Sequence, residues 1–307
     1  MSQHINSLSD LDKYVHAWKM DRVQLGRGKY YSHLDAFHTH NVQIGMTHRS
    51  MRLAVSGETP SDAITFLIIA NDASMIHQKH KMTNRHLAVY ESGGEADTVF
   101  IEPIRALSIS IHRDVFKSKY EEKFQETYPV KSKFELRVCN SEVLEEVKEE
   151  LIRILEAVRI DRPWLEDFQS MNLIEEIIID HMLNLLHTSS GQNGESKWVE
   201  TAHSLYGLIK LRYDQDISIE ALCKELNVSQ RNAYLTFQKH YSMTPKQYLL
   251  GVRLGKIRSA LEAADPKHTK IEHIAIQNGF YHMSHFTKLY KSFFGELPSQ
   301  TLWKHSH

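Results

Sequence analysis

Cysteine is nearly absent from this chain, with two in 307 residues. Cys139 and Cys223 cannot supply a disulfide framework, so a small stapled secreted scaffold is excluded and the usage fits a reducing compartment. No apolar run approaches the roughly 20 residues that cross a bilayer. The opening MSQHINSLSDLDKY lacks the apolar core of a signal peptide. The expectation is a cytoplasmic protein with no membrane partner. A glycine-rich phosphate loop is also missing, since Gly93-Gly94 reads as a turn. Net charge is missing as well: 37 Lys and Arg stand against 38 Asp and Glu, for a total of −1. That excludes a basic packaging protein and a disordered acidic tail. What is present is 41 % apolar residues. At roughly 100–200 residues per domain, that is enough for two cores.

The neutral total hides an asymmetry. From Lys197 to His307 there are 15 basic and 9 acidic side chains, leaving 22 and 29 for the preceding residues. A basic C-terminal third on an acidic body predicts that one end meets a polyanion; solvated surface is the ordinary alternative.

Residues 1–133 contain short apolar stretches separated by polar breaks: Val42–Met46, Met51–Val55, Ala63–Ile69, His86–Val89, Val99–Ile101 and Ala106–Ile111. Leu107, Ile109 and Ile111 alternate with Ser108, Ser110 and His112, the period of a half-buried strand. An antiparallel β sandwich or barrel is predicted. From 134 to 187 the period changes. Leu144, Val147, Leu151, Ile154 and Val158 step by three and four, which predicts a helix over Glu142–Val158. A second helix, Leu165–Leu186, has an apolar side broad enough for burial on two fronts, either against the β domain and the first helix or against another subunit. His187–Ser196 is polar and aperiodic, so a linker is placed at 188–198. An all-helical domain follows over 199–307.

Two helix-turn-helix units are predicted in that domain. Ser218 and Ser229 are placed to cap the first pair of helices, with Ala233, Leu235 and Phe237 turned inward and Gln230, Arg231, Tyr234 and Gln238 outward. The second unit has Thr269 and Glu272 in capping-box spacing, a turn at Asn278–Gly279, and a helix burying Phe286, Leu289 and Phe293. His282, Met283, His285 and Lys288 remain as groove-facing candidates. A longer helix between the units is capped by Thr244, with Pro245 at its first position. Two short helices joined tightly, the second polar and basic, fit a DNA major groove.

The stretch IAIQNGFYHMSHFTKLYKSFFGELPSQ carries Gly279-Phe280, Ser284, Phe286, Lys288, Tyr290-Lys291, Phe294-Gly295 and Pro298. With Ser229, Phe237, Pro245 and the helix GVRLGKIRSAL, it makes residues 200–304 resemble the DNA-binding domain of the AraC/XylS family of bacterial transcription regulators. Lys288 stands where the family usually has arginine and Tyr290 where it has phenylalanine. In the first unit, Ala233 and Leu235 depart from the usual leucine and arginine. The resemblance implies a two-headed reader of asymmetric sites, with Arg231, Tyr234, Met283 and Lys288 at base-reading positions. By chemistry, Arg231 and Lys288 suit guanine, and Met283 and Tyr234 suit a thymine methyl. Ser229, Thr244, Lys270 and Lys291 suit phosphate; for each residue, solvated helix surface is the ordinary account. The resemblance further implies a regulator, an activator or a repressor, with a β-barrel-like sensor for a small-molecule effector and helices for homodimerisation. Double-stranded DNA and RNA polymerase would be its macromolecular partners. The acidic body is loosely similar to the ethanolamine-regulator-like branch.

Other chemistry is sparse. The chain has 20 histidines, and His33, His38, His40 and His48 cluster in one stretch. In FHTH, His38 and His40 would share one side of a strand, a spacing used for Zn, Fe or Mn. A cupin-like metal enzyme or metal sensor fused to a DNA-binding domain is therefore the alternative reading. Scattered histidines are the simpler one, and no cofactor, metal or catalytic residue is assigned. Cys139 could lie exposed before the long helix, while Cys223 reads as buried. Arg49 and Arg52 could receive an anion if they face the barrel, although surface placement is the ordinary account.

Overall fold

The computed structural model describes residues 2–5, 19–160, 168–191 and 197–304. It is α+β, with an antiparallel two-sheet N-terminal body, connecting helices and an all-helical C-terminal part. The larger sheet has eight strands. In spatial order they are β1 (Ser2–Ile5), β3 (Ser32–His38), β4 (Val42–Arg49), β11 (Ile104–His112), β6 (Ala63–Ile69), β9 (His86–Tyr90), β12 (Phe134–Val138) and β13 (Ser190–Gly191). The smaller sheet runs β2 (Lys19–Gln24), β5 (Leu53–Glu58), β10 (Glu95–Phe100), β7 (Ser74–His77) and β8 (His80–Thr83).

The alternation in β11 decides what each face of the large sheet meets. Leu107, Ile109 and Ile111 are fully buried against a layer of helices. Ser108 and Ser110 point the other way, and with Gly45 and Thr47 of β4 they line a cavity between the two sheets. A polar side that reads as solvent-facing in the sequence is thus an interior wall made of small residues. Tyr30, Leu34, Leu53, Val55, Met75, Tyr90 and Phe100 belong to the apolar cluster between the sheets.

The helix layer comprises α1 (Arg113–Phe124), α2 (Ser141–Ile160) and α3 (Phe168–Thr188). The predicted stripe Leu144, Val147, Leu151, Ile154 and Val158 is buried throughout. Fully burying one such side chain stabilises by about 1.5–3 kcal/mol. Glu175 of α3 ties this layer to the sheet. Its carboxylate accepts from the Asn41 amide at 3.0 Å and the Asn41 side chain at 2.7 Å, and also from the Thr39 hydroxyl.

Several expectations change. The sequence RDVFKSKYEEKF was not expected to be helical, because its charges conceal a stripe of only two buried residues, Phe116 and Tyr120. Residues 134–138 pair with β9 as a strand before the helical stretch begins. The expected linker is partly structured: His187 and Thr188 finish α3, while Arg137 donates to the Ser189 hydroxyl at 2.7 Å and carbonyl at 2.8 Å. Residues 192–196 lie outside the described ones, and Lys197 already belongs to the next helix. Cys139 is buried, not exposed, and burial pushes its thiol up to about 12. His38 and His40 do not share a strand face: β3 ends at His38, both side chains are exposed, and Thr39–Asn41 forms the turn held by Glu175. Among the described residues, no group of three or more His, Cys, Asp or Glu could hold a metal, and no helix is long and apolar enough to cross a membrane. The metal-dependent alternative therefore loses the histidine pair it was built on.

The C-terminal part contains α4 (Lys197–Arg212), α5 (Ile219–Glu225), α6 (Gln230–Tyr241), α7 (Pro245–Ala263), α8 (Ile271–Gln277), α9 (Met283–Phe294) and α10 (Pro298–Lys304). Helices α4 to α7 share a core with the outer face of the small sheet: Val23, Leu25, Ala54, Ile76, Val99 and Ile101 join Tyr206, Phe237, Tyr248 and Val252. Gly255 makes the close approach possible. A Cβ at that position would lie 2.7 Å from Val23 Cγ1. Asp21 pairs with Lys256, and Asp97 accepts from the Tyr206 hydroxyl at 2.6 Å.

Candidate nucleic-acid interface

Serine caps build the first unit as the sequence predicts. Ser218 accepts from the Ala221 amide at 3.1 Å, and Ser229 accepts from the Asn232 amide at 3.2 Å. Each satisfies a donor that the first helical turn would leave unpaired. The turn between α5 and α6 passes through Asn227 at φ 53°, a left-handed position that asparagine tolerates. Ala233, Phe237 and Tyr241 are buried, holding α6 by one side. Gln230, Arg231, Gln238 and Lys239 are exposed on the other.

Leu235 departs from the expectation. It is 59 % exposed rather than turned inward. Helical geometry puts it four residues beyond Arg231 and three before Gln238, so it joins their stripe. The inward position next to it is taken by Thr236, whose hydroxyl donates to the Asn232 carbonyl at 2.9 Å. Tyr234 is half-buried against the first core, and burial raises its phenol. Only part of its ring is available to a groove.

The second unit follows the same plan with different capping. Its support helix α8 begins after Lys270, which is the N-cap and makes no side-chain cap bond. The predicted Thr269–Glu272 box does not form. The turn that closes with the His268 amide on the Asp265 carbonyl places Thr269 one residue outside the cap. Phe286, Tyr290, Phe293 and Phe294 bury one side of α9, while Leu289, expected inside with them, is only partly buried. His282, Ser284, His285, Lys288 and Lys291 are exposed, and Met283 is half-buried against the second core. Of the phosphate candidates, Ser229, Lys270 and Lys291 are exposed. Thr244 is half-buried, and its hydroxyl already accepts from the Gln247 amide in a capping box.

Arg253 of α7 braces the two units against each other. Its guanidinium donates to the carbonyls of Tyr213 at 2.7 Å and Gln215 at 2.8 Å, in the segment just before α5. The same group lies under Gly279, where a Cβ would sit 2.9 Å from Arg253 Cζ. Gly279 has φ +81°, so the turn into α9 requires glycine on both conformational and steric grounds. The sequence quotes both residues within family motifs, but not their contact.

The N-terminal body touches both exposed helices at their carboxyl ends. The Gly28 amide donates to the Phe293 carbonyl at 2.6 Å, and the Lys79 backbone lies beside the His240 ring. Burial lowers His240 to about 4. The amino-terminal turns, which carry Gln230, Arg231, His282 and His285, stay clear of these contacts. In helix-turn-helix proteins, residues near the amino end of the recognition helix reach base edges.

A helix-turn-helix domain model matches residues 222–303. The XylDLEGF operon transcriptional activator of Pseudomonas putida is 33 % identical over 141 residues, covering 45 % of this chain and 44 % of that protein. The XylDLEGF operon transcriptional activator 2 of the same organism is 31 % identical over 140 residues, covering 44 % of this chain and 89 % of that protein. The chain thus spans less than half the length of the first relative and most of the second. A solved structure, a probable AraC family transcriptional regulator from Rhodopseudomonas palustris CGA009, is 27 % identical. It covers 34 % of this chain and 97 % of its own, at a TM-score of 0.32.

Proposed function

This chain belongs to the AraC/XylS family of transcription regulators, and on that premise we propose that it binds double-stranded DNA sequence-specifically through α6 and α9. The observation that carries the reading is the pair of helices with exposed polar and basic amino-terminal faces, braced by one arginine. Arg231, Lys288, Gln230, His282 and His285 are the direct readers, with Tyr234 and Met283 contributing their accessible edges. Leu235 adds an apolar contact suited to a thymine methyl. Ser229, Lys270 and Lys291 hold phosphate, with Thr244 in a minor role.

The N-terminal two-sheet body, which extends through β12, acts as the sensor in this reading. Helices α2 and α3 serve self-association, and the helices from Lys197 onward bind DNA. Exposed Leu173 and Phe168 on α3 favour a homodimer. The coupling follows from strand alternation. In β2, Met20 and Arg22 line the inner cavity, while Asp21 and Val23 meet α7. In β10, Thr98 faces the cavity and Asp97 meets α4. A small molecule in the cavity therefore presses on the sheet that carries the DNA-binding helices, and its linkage to DNA affinity must be reciprocal. The protein is a cytoplasmic activator with RNA polymerase as a further partner, and the reading includes no catalytic step.

Selection of bound duplex from random sequence, followed by competition at stated salt, tests the reading. A selected site that outcompetes unrelated duplex by about 10³-fold or more supports it. Equal, strongly salt-dependent binding to every duplex would leave only nonspecific attraction.

A further inference from the structure

The cavity between the sheets has a volume of about 90 Å³. One water needs roughly 10–15 Å³ on this measure, so the space exceeds a single solvent molecule. Its walls are mainly apolar, from Met20, Leu34, Val55, Leu67 and Phe100 among others, and none of its lining residues is acidic. Two arginines nevertheless line it, Arg22 and Arg49. Arg22 is 8 % exposed and donates to the Met20 carbonyl at 3.3 Å.

Arg49 is the least satisfied of these groups: the Tyr30 phenol is a favourable neighbour, but its hydroxyl makes no hydrogen bond. The Arg49 Nε is shut off from solvent and has no hydrogen-bond partner. Among the described residues, no carboxylate pairs with it. Its Cζ lies instead over the Phe100 ring, 4.4 Å from the centroid. Burial pulls the guanidinium down to about 10; the neighbouring Tyr30 phenol opposes that shift, and repulsion from Arg22 adds to it. Arg49 is half-buried as a residue, and the part of its guanidinium shut off from water is costly unless paired. The other polar groups make no such demand. His77 is engaged by Thr98 at 2.6 Å and by the Tyr90 hydroxyl, and Thr65 and Ser110 hydrogen-bond each other at 2.9 Å.

We infer that the cavity is a binding site for an organic monocarboxylate, with the carboxylate on the Arg49 guanidinium and an apolar body against the Leu34, Val55 and Phe100 wall. A planar guanidinium matches a carboxylate through parallel N–H···O bonds. A doubly charged inorganic anion would carry more desolvation cost and leave the apolar wall unfilled. This inference rests on the sensor reading above. Measuring binding without DNA separates the two: a full chain that reads DNA but binds no acid defeats the inference alone. A chain that binds acid without change in DNA affinity defeats the coupling and leaves the site.

The experiment is titration calorimetry on the full-length protein with hexanoate and 3-phenylpropanoate, each against its primary amide, and with inorganic phosphate. At least one acid is expected to saturate the wild type, and its amide to bind at least about 30-fold more weakly, as expected when one partner of a buried charge pair is removed. Arg49→Met is expected to abolish acid binding while raising the thermal midpoint of the unliganded protein. Arg49→Lys, which keeps the charge but loses the fork, should retain weakened binding and serves if the first variant does not fold. Equal binding of acid and amide, undiminished acid binding by Arg49→Met, phosphate binding as tight as either acid, or no saturation by either acid would overturn the assignment.

Discussion

The Tyr206 hydroxyl donates to Asp97 at 2.6 Å, joining the first helix of the C-terminal part to the small sheet of the N-terminal body. Lys210 reaches the same carboxylate at 3.2 Å. One residue along β10, Thr98 faces the cavity and is engaged by His77. The sheet is one strand thick between a ligand-sized space and the helices that would read DNA. Tyr206→Phe should remove one charge-assisted hydrogen bond and lower stability by about 1.5–3 kcal/mol. Hydrogen exchange should then rise in α4 and β10. Protection unchanged in both elements would mean that this bond does not hold the two parts together.

Gly255→Ala tests the same contact from the opposite helix. The added methyl would meet stiff Val23 at 2.7 Å, so β2 or α7 must shift. The expected cost is about 1–3 kcal/mol, read as a lower denaturant midpoint. No candidate DNA-contacting side chain is altered. Duplex affinity that stays within about twofold, with a weakened response to any cavity ligand, is the predicted combination.

Gly279→Ala should be more harmful to DNA binding. It imposes a side chain at positive φ and against Arg253. Backbone strain of this kind costs about 1–3 kcal/mol, and relief requires the two units to move apart. Lower thermal stability and weaker binding to a selected two-part site should appear together. Full DNA affinity in this variant would show that Arg253 does not set the arrangement of the units.

Acid should unfasten the helix layer through Glu175. Burial raises this carboxyl, but the hydrogen bonds from Thr39 and Asn41 more than offset that and hold it below its ordinary value. Because the folded value is depressed, its contribution is present above the unfolded value of about 4.3 and is lost as pH falls through the folded value. Glu175→Gln should cost about 2 kcal/mol at pH 7, a gap that narrows as the wild type is acidified. Urea unfolding of both proteins across that range checks it. A gap independent of pH would remove the carboxylate charge from the explanation.

Individual readers separate by how they fail. Arg231→Ala and Lys288→Ala should each cost about 1–3 kcal/mol on the preferred base and relax selection there. Lys291→Ala should weaken all duplexes similarly and reduce the salt slope by about 1. Binding to a panel of single-base variants at two salt concentrations distinguishes these patterns.

The helical units were legible because capping is local: Ser218, Ser229 and Thr244 each signal a helix start within three residues of the amide they receive. The Thr269 signal misled for the same reason, since a turn at Asp265–His268 moved the cap by one residue. The apolar stripe of α2 was visible in its period. Leu235 was misplaced because hydrophobicity does not distinguish a core position from an exposed apolar one on a short helix. The cavity was invisible: Ser108 and Ser110 read as the polar side of a half-buried strand, and only the second sheet turns that side inward. Arg49 was noticed as a charge, yet its isolation depends on the strands stacked above it. The docking of α7 on β2 joins residues more than 220 positions apart, beyond any local pattern.

Entry of α6 and α9 into one duplex as a fixed pair is tested most directly by inserting 5 or 10 base pairs between the two halves of a selected site and measuring affinity. A pair held by α7 and Arg253 predicts a loss of about 10- to 100-fold with either insertion, because one head must give up contacts worth about 1–3 kcal/mol. Affinity unchanged by both insertions would mean that the helices bind independently, or that only one of them reads DNA.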